Sequence, residues 1–307
     1  MLSKTCRIML LGWLGLCLGV LSGCGGKEPG RATASNAIQV KGSDTEVNLV
    51  QRLAEEFMKA HPQASISVTG GGSGTGIAAL IDQRADLANS SREMKPEEVQ
   101  QARQRGVNPV HIVFAVDGLA IIAHPSNPLE SLSLEDLAKI FRGEVTNWKE
   151  VGGPDLGISL YGRQSNSGTF IYFRDTVLKG DYAPSMKMMN GSAQIVEGVP
   201  RDRAGIGYVG VGYVMEQGKA AKGAKVLRLA REKGGEAISP LEADKVEQGI
   251  YPLSRPLYQY INGTPKGALL EFLQFELSPE GQRLVAQEGF FSVPSTYQAA
   301  NRKVIGG

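Results

Sequence analysis

Short apolar runs alternate along the chain with stretches whose apolar residues recur at helical spacing. Residues 37–42 (AIQVKG) read as a strand. Val47, Val50, Leu53, Ala54, Phe57 and Met58 then fall on one helical face, which His61-Pro62 closes. Residues 65–70 (SISVTG) read as a second strand, 77–83 as a short helix, 85–91 (ADLANSS) as a short strand and 96–105 as a helix with polar faces. The run 134–143 (LEDLAKIFRG) predicts a helix capped by Gly143, and 158–163 (ISLYGR) a strand feeding a helix over 167–178. This β-α-β-α order predicts an α/β fold with mainly parallel sheets.

One extended stretch does not fit a single strand. Residues 110–125 (VHIVFAVDGLAIIAHP) are too long, and Asp117-Gly118 interrupts them. Such a segment can leave one domain and enter another, with 254–261 (SRPLYQYI) as the return. Two crossings place a cleft between two α/β lobes. The expected division is 38–116 plus 253–307 for the first lobe and 117–252 for the second.

The N-terminus has a different character. Lys4 and Arg7 precede an apolar run from Ile8 to Leu21, the layout of a secretory signal and too short for a membrane span. Leu21-Ser22-Gly23-Cys24 resembles the bacterial lipoprotein lipobox, which implies cleavage after residue 23 and lipid on Cys24. The alternative is ordinary secretion with cleavage after Ala32-Thr33-Ala34, but that site lies well beyond the apolar run. Residues 24–37 are mostly small and polar and suit a flexible tether.

Cleavage before Cys24 changes the picture twice. It removes Cys6 and Cys17, leaving one cysteine and no internal disulfide. It also removes two of the 33 basic residues and none of the 31 acidic ones, so the remaining charge is balanced. A balanced chain gives no reason to expect nucleic-acid binding, and any recognition of an anion has to be local.

Four segments could supply it. Gly42–Glu46 (GSDTE), Gly70–Gly76 (GGGSGTG) and Gly162–Phe170 (GRQSNSGTF) each join a predicted strand to a predicted helix, and Asn89–Glu93 (NSSRE) follows a strand. All offer hydroxyls, and the first three offer the unpaired N–H groups of a helix start, where an oxyanion can be held with few formal charges. Taken singly, a Ser or Thr before a helix is an ordinary N-cap. Several such loops at the same ends of strands favour one shared site. Gly70–Gly76 lacks the Lys and Ser/Thr of a nucleotide P-loop, because Ile77 and Ala78 follow Gly76. Gly74–Ala79 fits a loose dinucleotide fingerprint, but the next strand is polar and does not end in a ribose-binding acid. Arg163, at a strand end before Ser167-Gly168-Thr169, is the leading cation, with Arg92 second.

Catalytic patterns are missing. His61, His111 and His124 form no metal-spaced pair, no G-x-S-x-G elbow occurs, and the acids are dispersed. No cofactor or metal is expected, and no enzyme activity. Asp117 is the acid of interest, because it breaks an apolar run where a buried charge needs a partner.

With these residues in view, residues 42–62 (GSDTEVNLVQRLAEEFMKAHP), 70–92 (GGGSGTGIAALIDQRADLANSSR), 116–128 (VDGLAIIAHPSNP) and 162–170 resemble the phosphate-binding lipoproteins of bacterial high-affinity phosphate ABC transporters. The resemblance runs from about Ile38 to Pro294. It implies a two-lobed α/β periplasmic-binding-protein (type II) fold that closes on inorganic phosphate and delivers it to a membrane permease with its ATPase. It also implies an extracytoplasmic, lipid-anchored monomer. The family's binding residues fall on Thr45 and the amide of Glu46, on Ser73 with Gly74 and Thr75, and on Arg163, Ser167, Gly168 and Thr169. Ser91 and Ser165 stand where one branch of the family has aspartates. Asp117 is therefore expected to take over the discrimination of phosphate from sulfate and to steady Arg163, with Glu46 and Asp44 as runners-up. Binding of sulfate or molybdate, a secreted phosphatase using a loop serine, and a surface sensor or adhesin remain as alternatives.

Overall fold

The computed structural model describes residues 37–306 except 217, 218, 221, 222 and 224. The signal, the lipobox cysteine Cys24 and almost all of the tether lie outside the described residues. The described residues form thirteen strands: β1 (Ala37–Gly42), β2 (Ser65–Thr69), β3 (Leu87–Ser90), β4 (Pro109–Gly118), β5 (Ala120–Ala123), β6 (Ser131–Ser133), β7 (Ser159–Arg163), β8 (Lys187–Met189), β9 (Gly205–Val209), β10 (Met215–Glu216), β11 (Lys219–Ala220), β12 (Lys225–Ala230) and β13 (Ser254–Asn262). The helices that matter for the site are α1 (Val47–Ala60), α2 (Ser73–Ile81), α3 (Pro96–Gln104), α4 (Leu134–Arg142) and α5 (Gly168–Phe173), which continues as a π-helical turn, Arg174–Leu178.

Two sheets organise two lobes. One has the order β2-β1-β3-β13-β4, the other β6-β12-β5-β9-β7-β8. Strands β1, β2 and β3 run parallel, so the loops after Gly42, Thr69 and Ser90 open on one edge. In the other sheet β7 runs parallel to β8 and β9. The sheets are mixed rather than mainly parallel. Strand β13 lies antiparallel to both β3 and β4, and β5 lies antiparallel to β9 and β12. The reason is the path of the chain. It leaves the first sheet along β4 and comes back along β13, and a direct return next to the outgoing strand has to run the opposite way.

The crossing falls where Asp117-Gly118 interrupts the extended run. Strand β4 ends at Gly118 and β5 begins at Ala120 in the other sheet. The returning chain is bonded to it there, with Leu119 N donating to Leu253 O at 3.0 Å and Arg255 paired with Asp117.

Packing follows the apolar pattern. Helix α1 buries Leu49, Val50, Leu53, Ala54 and Phe57 as a stripe, and His61 closes it by stacking on Phe57 at 4.0 Å between ring centroids. Helix α4 has Ser133 as its N-cap, and it ends at Gly143, a left-handed C-cap at φ 78°, which its sequence predicts. Strand β3 is polar in composition yet wholly buried, because it sits between β1 and β13. Helix α2 starts at Ser73, four residues before the apolar pattern suggests, so half of the glycine-rich segment is helical. In the second lobe Phe141, Phe173 and Tyr208 form an aromatic core, with Phe173 stacked on Tyr208 at 4.4 Å.

Candidate functional site

Three helices, α1, α2 and α5, begin at the facing edges of the two sheets. Beside their first turns four hydroxyls form a connected chain. Thr45 Oγ1 lies 2.8 Å from Thr169 Oγ1, Thr169 Oγ1 lies 3.3 Å from Ser91 Oγ, and Ser91 Oγ lies 3.4 Å from Ser73 Oγ. Ser73 Oγ also accepts Ser91 N at 3.1 Å. All four residues are buried at 1 % exposure or less. Thr45, Ser73 and Ser91 come from the first lobe and Thr169 from the second, so the cluster is an interlobe structure.

Gly168 completes it by having no side chain. A Cβ there would stand 2.3 Å from Ser73 Oγ and 2.7 Å from Ser91 Oγ, far inside contact distance. Ser167 is buried next to it, and its Oγ accepts Phe170 N at 3.3 Å as the N-cap of α5. The capping reading therefore holds for Ser167. The hydroxyls of Thr45 and Ser73 cap no helix N–H.

Two arginines flank the hydroxyls, and each has a carboxylate partner. Arg163, at the end of β7, pairs with Asp44 across the cleft and donates through Nη1 to Ser192 Oγ at 3.0 Å and through Nη2 to Asn190 O at 3.1 Å. Its backbone N donates to Tyr208 Oη at 3.1 Å, which ties the strand end to the aromatic core. Burial pushes the Tyr208 hydroxyl up to about 12, so it stays protonated. Arg163 is 1 % exposed, and its Nε has no hydrogen-bond partner. Asp44 Oδ1 accepts Gly71 N at 2.9 Å, so this carboxylate ties the first lobe's glycine segment to the second lobe's arginine.

The second arginine is Arg255, which the sequence reading passes over. Its Nε and Nη2 reach Asp117 Oδ2 at 2.9 and 2.7 Å. Nη2 also donates to Thr169 Oγ1 at 3.1 Å and Nη1 to Ser91 O at 3.2 Å. Its guanidinium lies 5.0 Å from the centre of the Tyr172 ring. The signal for it was strand period: alternation in β13 puts Arg255 on the same face as the buried Leu257 and Gln259. Asp117 is fully buried, and its Oδ1 accepts Val211 N at 2.8 Å. Its partner is thus Arg255, and the expectation that it steadies Arg163 is corrected: Asp44 holds that position.

Other expected residues lie elsewhere. Arg92 is turned away and held by Glu98 through two bonds of 2.7 and 2.6 Å, with Nη1 also on Glu93 O. It lines a cavity of about 400 Å³ with Met94, Tyr172 and Tyr258, whose wall also includes Ser91 and Arg255 of the cluster. The amide of Gly74 donates to Asn166 O at 2.9 Å, and the Thr75 hydroxyl donates to Gly71 O at 2.7 Å on the exposed rim. The amide of Glu46 donates to Ser43 O at 3.3 Å inside its own loop. The Glu46 side chain is buried with neither carboxylate oxygen hydrogen-bonded, and burial holds its carboxyl well above the usual range.

The electrostatic design is consistent. Both arginines are neutralised by a carboxylate, and the rest of the cluster is hydroxyl and helix start. Such a site can hold a small oxyanion through directed neutral donors and two guanidinium forks without excess fixed charge. Among the described residues no three His, Cys, Asp or Glu side chains come together to hold a metal ion. No helix among them is long and apolar enough to cross a membrane.

Comparison with known proteins agrees with the two-lobed α/β fold. Residues 27–280 match the model of the PBP superfamily domain. The phosphate-binding protein PstS of Pseudomonas aeruginosa is 35 % identical over 272 residues, covering 83 % of this chain and 82 % of its own. The protein SphX of Synechococcus elongatus is 32 % identical over 288 residues, covering 89 % and 82 %. Among solved structures, an ABC-type phosphate transport receptor from Vibrio cholerae superposes with a TM-score of 0.66 at 27 % identity, covering 83 % of this chain and 99 % of its own. The chain therefore belongs to the PBP superfamily, among the phosphate-binding proteins of ABC transporters.

Proposed function

We propose that this protein captures inorganic phosphate outside the cytoplasm and hands it to the permease and ATPase of an ABC importer. The observation that carries this reading is the buried cluster of Thr45, Ser73, Ser91 and Thr169 between Arg163 and Arg255, drawn from both lobes. A tetrahedral anion presents oxygens in all directions, and a site with donors on two facing lobes surrounds it only when the lobes are closed. We divide the lobes as 38–116 plus 253–307 and 117–252, with the hinge at the paired crossings. The residues that meet the phosphate are Thr45, Ser73, Ser91, Arg163, Ser167, Gly168 and Thr169, to which Arg255 is added. The monomer is held at the membrane by lipid on Cys24, after a signal of residues 1–23 and a tether of residues 24–37.

Asp117 and Asp44 are the acceptors that favour a protonated ligand. A carboxylate offers about four lone-pair sites. Asp117 receives three protein donors and Asp44 two, so each keeps room for at least one more. Near neutral pH phosphate carries a proton to give and sulfate does not. A calorimetric titration of the ligand-stripped protein with phosphate, sulfate, arsenate and molybdate tests the reading. Tight binding of phosphate and arsenate with weak binding of sulfate is expected. Binding of sulfate or molybdate in preference to phosphate would reassign the cargo, and no binding of any of them would refute the function.

A further inference from the structure

Asn166 is exposed on the outer rim of the second lobe's loop, between the arginine and Ser167. Its hydrogen bonds reach across to the first lobe. Its carbonyl accepts Gly74 N at 2.9 Å. Its side-chain amide donates to Gly71 O at 2.9 Å and to Thr75 Oγ1 at 3.3 Å. Its partners Gly71 and Thr75 are themselves linked, since Thr75 Oγ1 donates to Gly71 O at 2.7 Å. The buried hydroxyl cluster lies behind this contact and is met by other residues.

We propose that Asn166 is a latch: it grips the first lobe's glycine segment from outside and sets how fast bound phosphate escapes, without contacting the ligand. The physical argument is one of states. These three bonds join residues of different lobes, so they exist only when the lobes are closed. An interaction present in one state alone shifts the balance toward that state. Opening is the step that precedes release, whereas capture begins from the open form, where the latch is unmade. Removing it therefore speeds release and leaves association nearly unchanged. The bonds are exposed and neutral, so each is worth a small factor. Their weakness suits a carrier, which has to give up its cargo when a partner pulls the lobes apart.

The proposal rests on phosphate being the ligand. The test is release of radiolabelled phosphate chased by unlabelled phosphate, with association measured separately, for the wild type, Asn166→Ala and Asn166→Asp. The alanine variant keeps the backbone bond and loses the two side-chain bonds, so release is expected to be about threefold to tenfold faster, the scale of one or two net hydrogen bonds. The aspartate variant keeps the shape but turns a carboxylate toward Gly71 O, so its release is expected to be faster still. Association rates and the melting temperature of the ligand-free protein should stay at wild-type values. Unchanged release in both variants, or a loss carried by association, overturns the latch while leaving the cargo assignment intact. Failure of the wild type to bind phosphate overturns both.

Discussion

Arg255 and Asp117 face each other across the two chain crossings, paired in β-register and joined by two bonds of 2.9 and 2.7 Å from one guanidinium to one carboxylate oxygen. The pair is 138 residues apart in sequence and buried, beside the hydroxyl cluster. It links the two crossing strands to the hydroxyl of Thr169, which Arg255 also holds.

Asp117→Asn is expected to destabilise the ligand-free protein by about 3 kcal/mol, because it leaves the Arg255 charge buried without its counter-charge. Phosphate should restore part of that loss, since an anion can partner the freed arginine. Denaturant titrations with and without phosphate check both. The phosphate-to-sulfate affinity ratio should also fall by about tenfold, through loss of an acceptor that only a protonated ligand can satisfy. A ratio unchanged in Asp117→Asn but lowered in Asp44→Asn would move that role to Asp44.

Gly168→Ala is expected to abolish tight binding while the protein still folds. The added carbon would sit 2.3 Å from Ser73 Oγ of the opposite lobe, a clash that arises only on closure. Overpacking of about 3 kcal/mol corresponds to roughly a hundredfold loss of affinity. Calorimetry reads the affinity, and the melting temperature of the ligand-free form should change little.

Stability should fall as pH rises between about 4.5 and about 8. Glu276 is fully buried, with Oε1 accepting Gln259 Nε2 at 3.0 Å, and burial pushes its carboxyl up from 4.5 to about 8. Its folded value lies above its unfolded value, so the stabilising contribution is complete below the unfolded value and is lost as pH climbs through the folded one. Glu46, raised in the same direction by burial, adds to the slope. Glu276→Gln keeps the acceptor and removes the charge, so the pH dependence over this window should flatten by an amount on the order of a few kcal/mol. An identical slope in the variant would assign it to other groups.

Cys24→Ser is expected to leave the protein unlipidated, either released or unprocessed. Membrane fractionation with mass measurement checks this. Wild-type mass and membrane recovery in the variant would exclude Cys24 as the anchor.

The sequence by itself determined what depends on neighbours along the chain. Helical spacing located α1, Gly143 marked the end of α4, and the interruption at Asp117-Gly118 marked the crossing, because turns, caps and amphipathic stripes are set within a few residues. The clustering of the loops at 45, 73 and 91 was legible for the same reason: each follows a strand of one sheet, and the parallel strands β1, β2 and β3 end on one edge. The tertiary structure alone decided which side chains turn inward. Whether an arginine serves the anion or a surface acid depends on register between distant segments. Pairing of β13 with β4 brought Arg255 to Asp117, and the start of α3 brought Glu98 to Arg92 and took that arginine out of the site. Asp44 went to Arg163 because lobe closure spans 119 residues of sequence. Local pattern supplies the donors, but a site drawn from two lobes is assembled only by long-range packing, to which the period of a strand or helix carries no address.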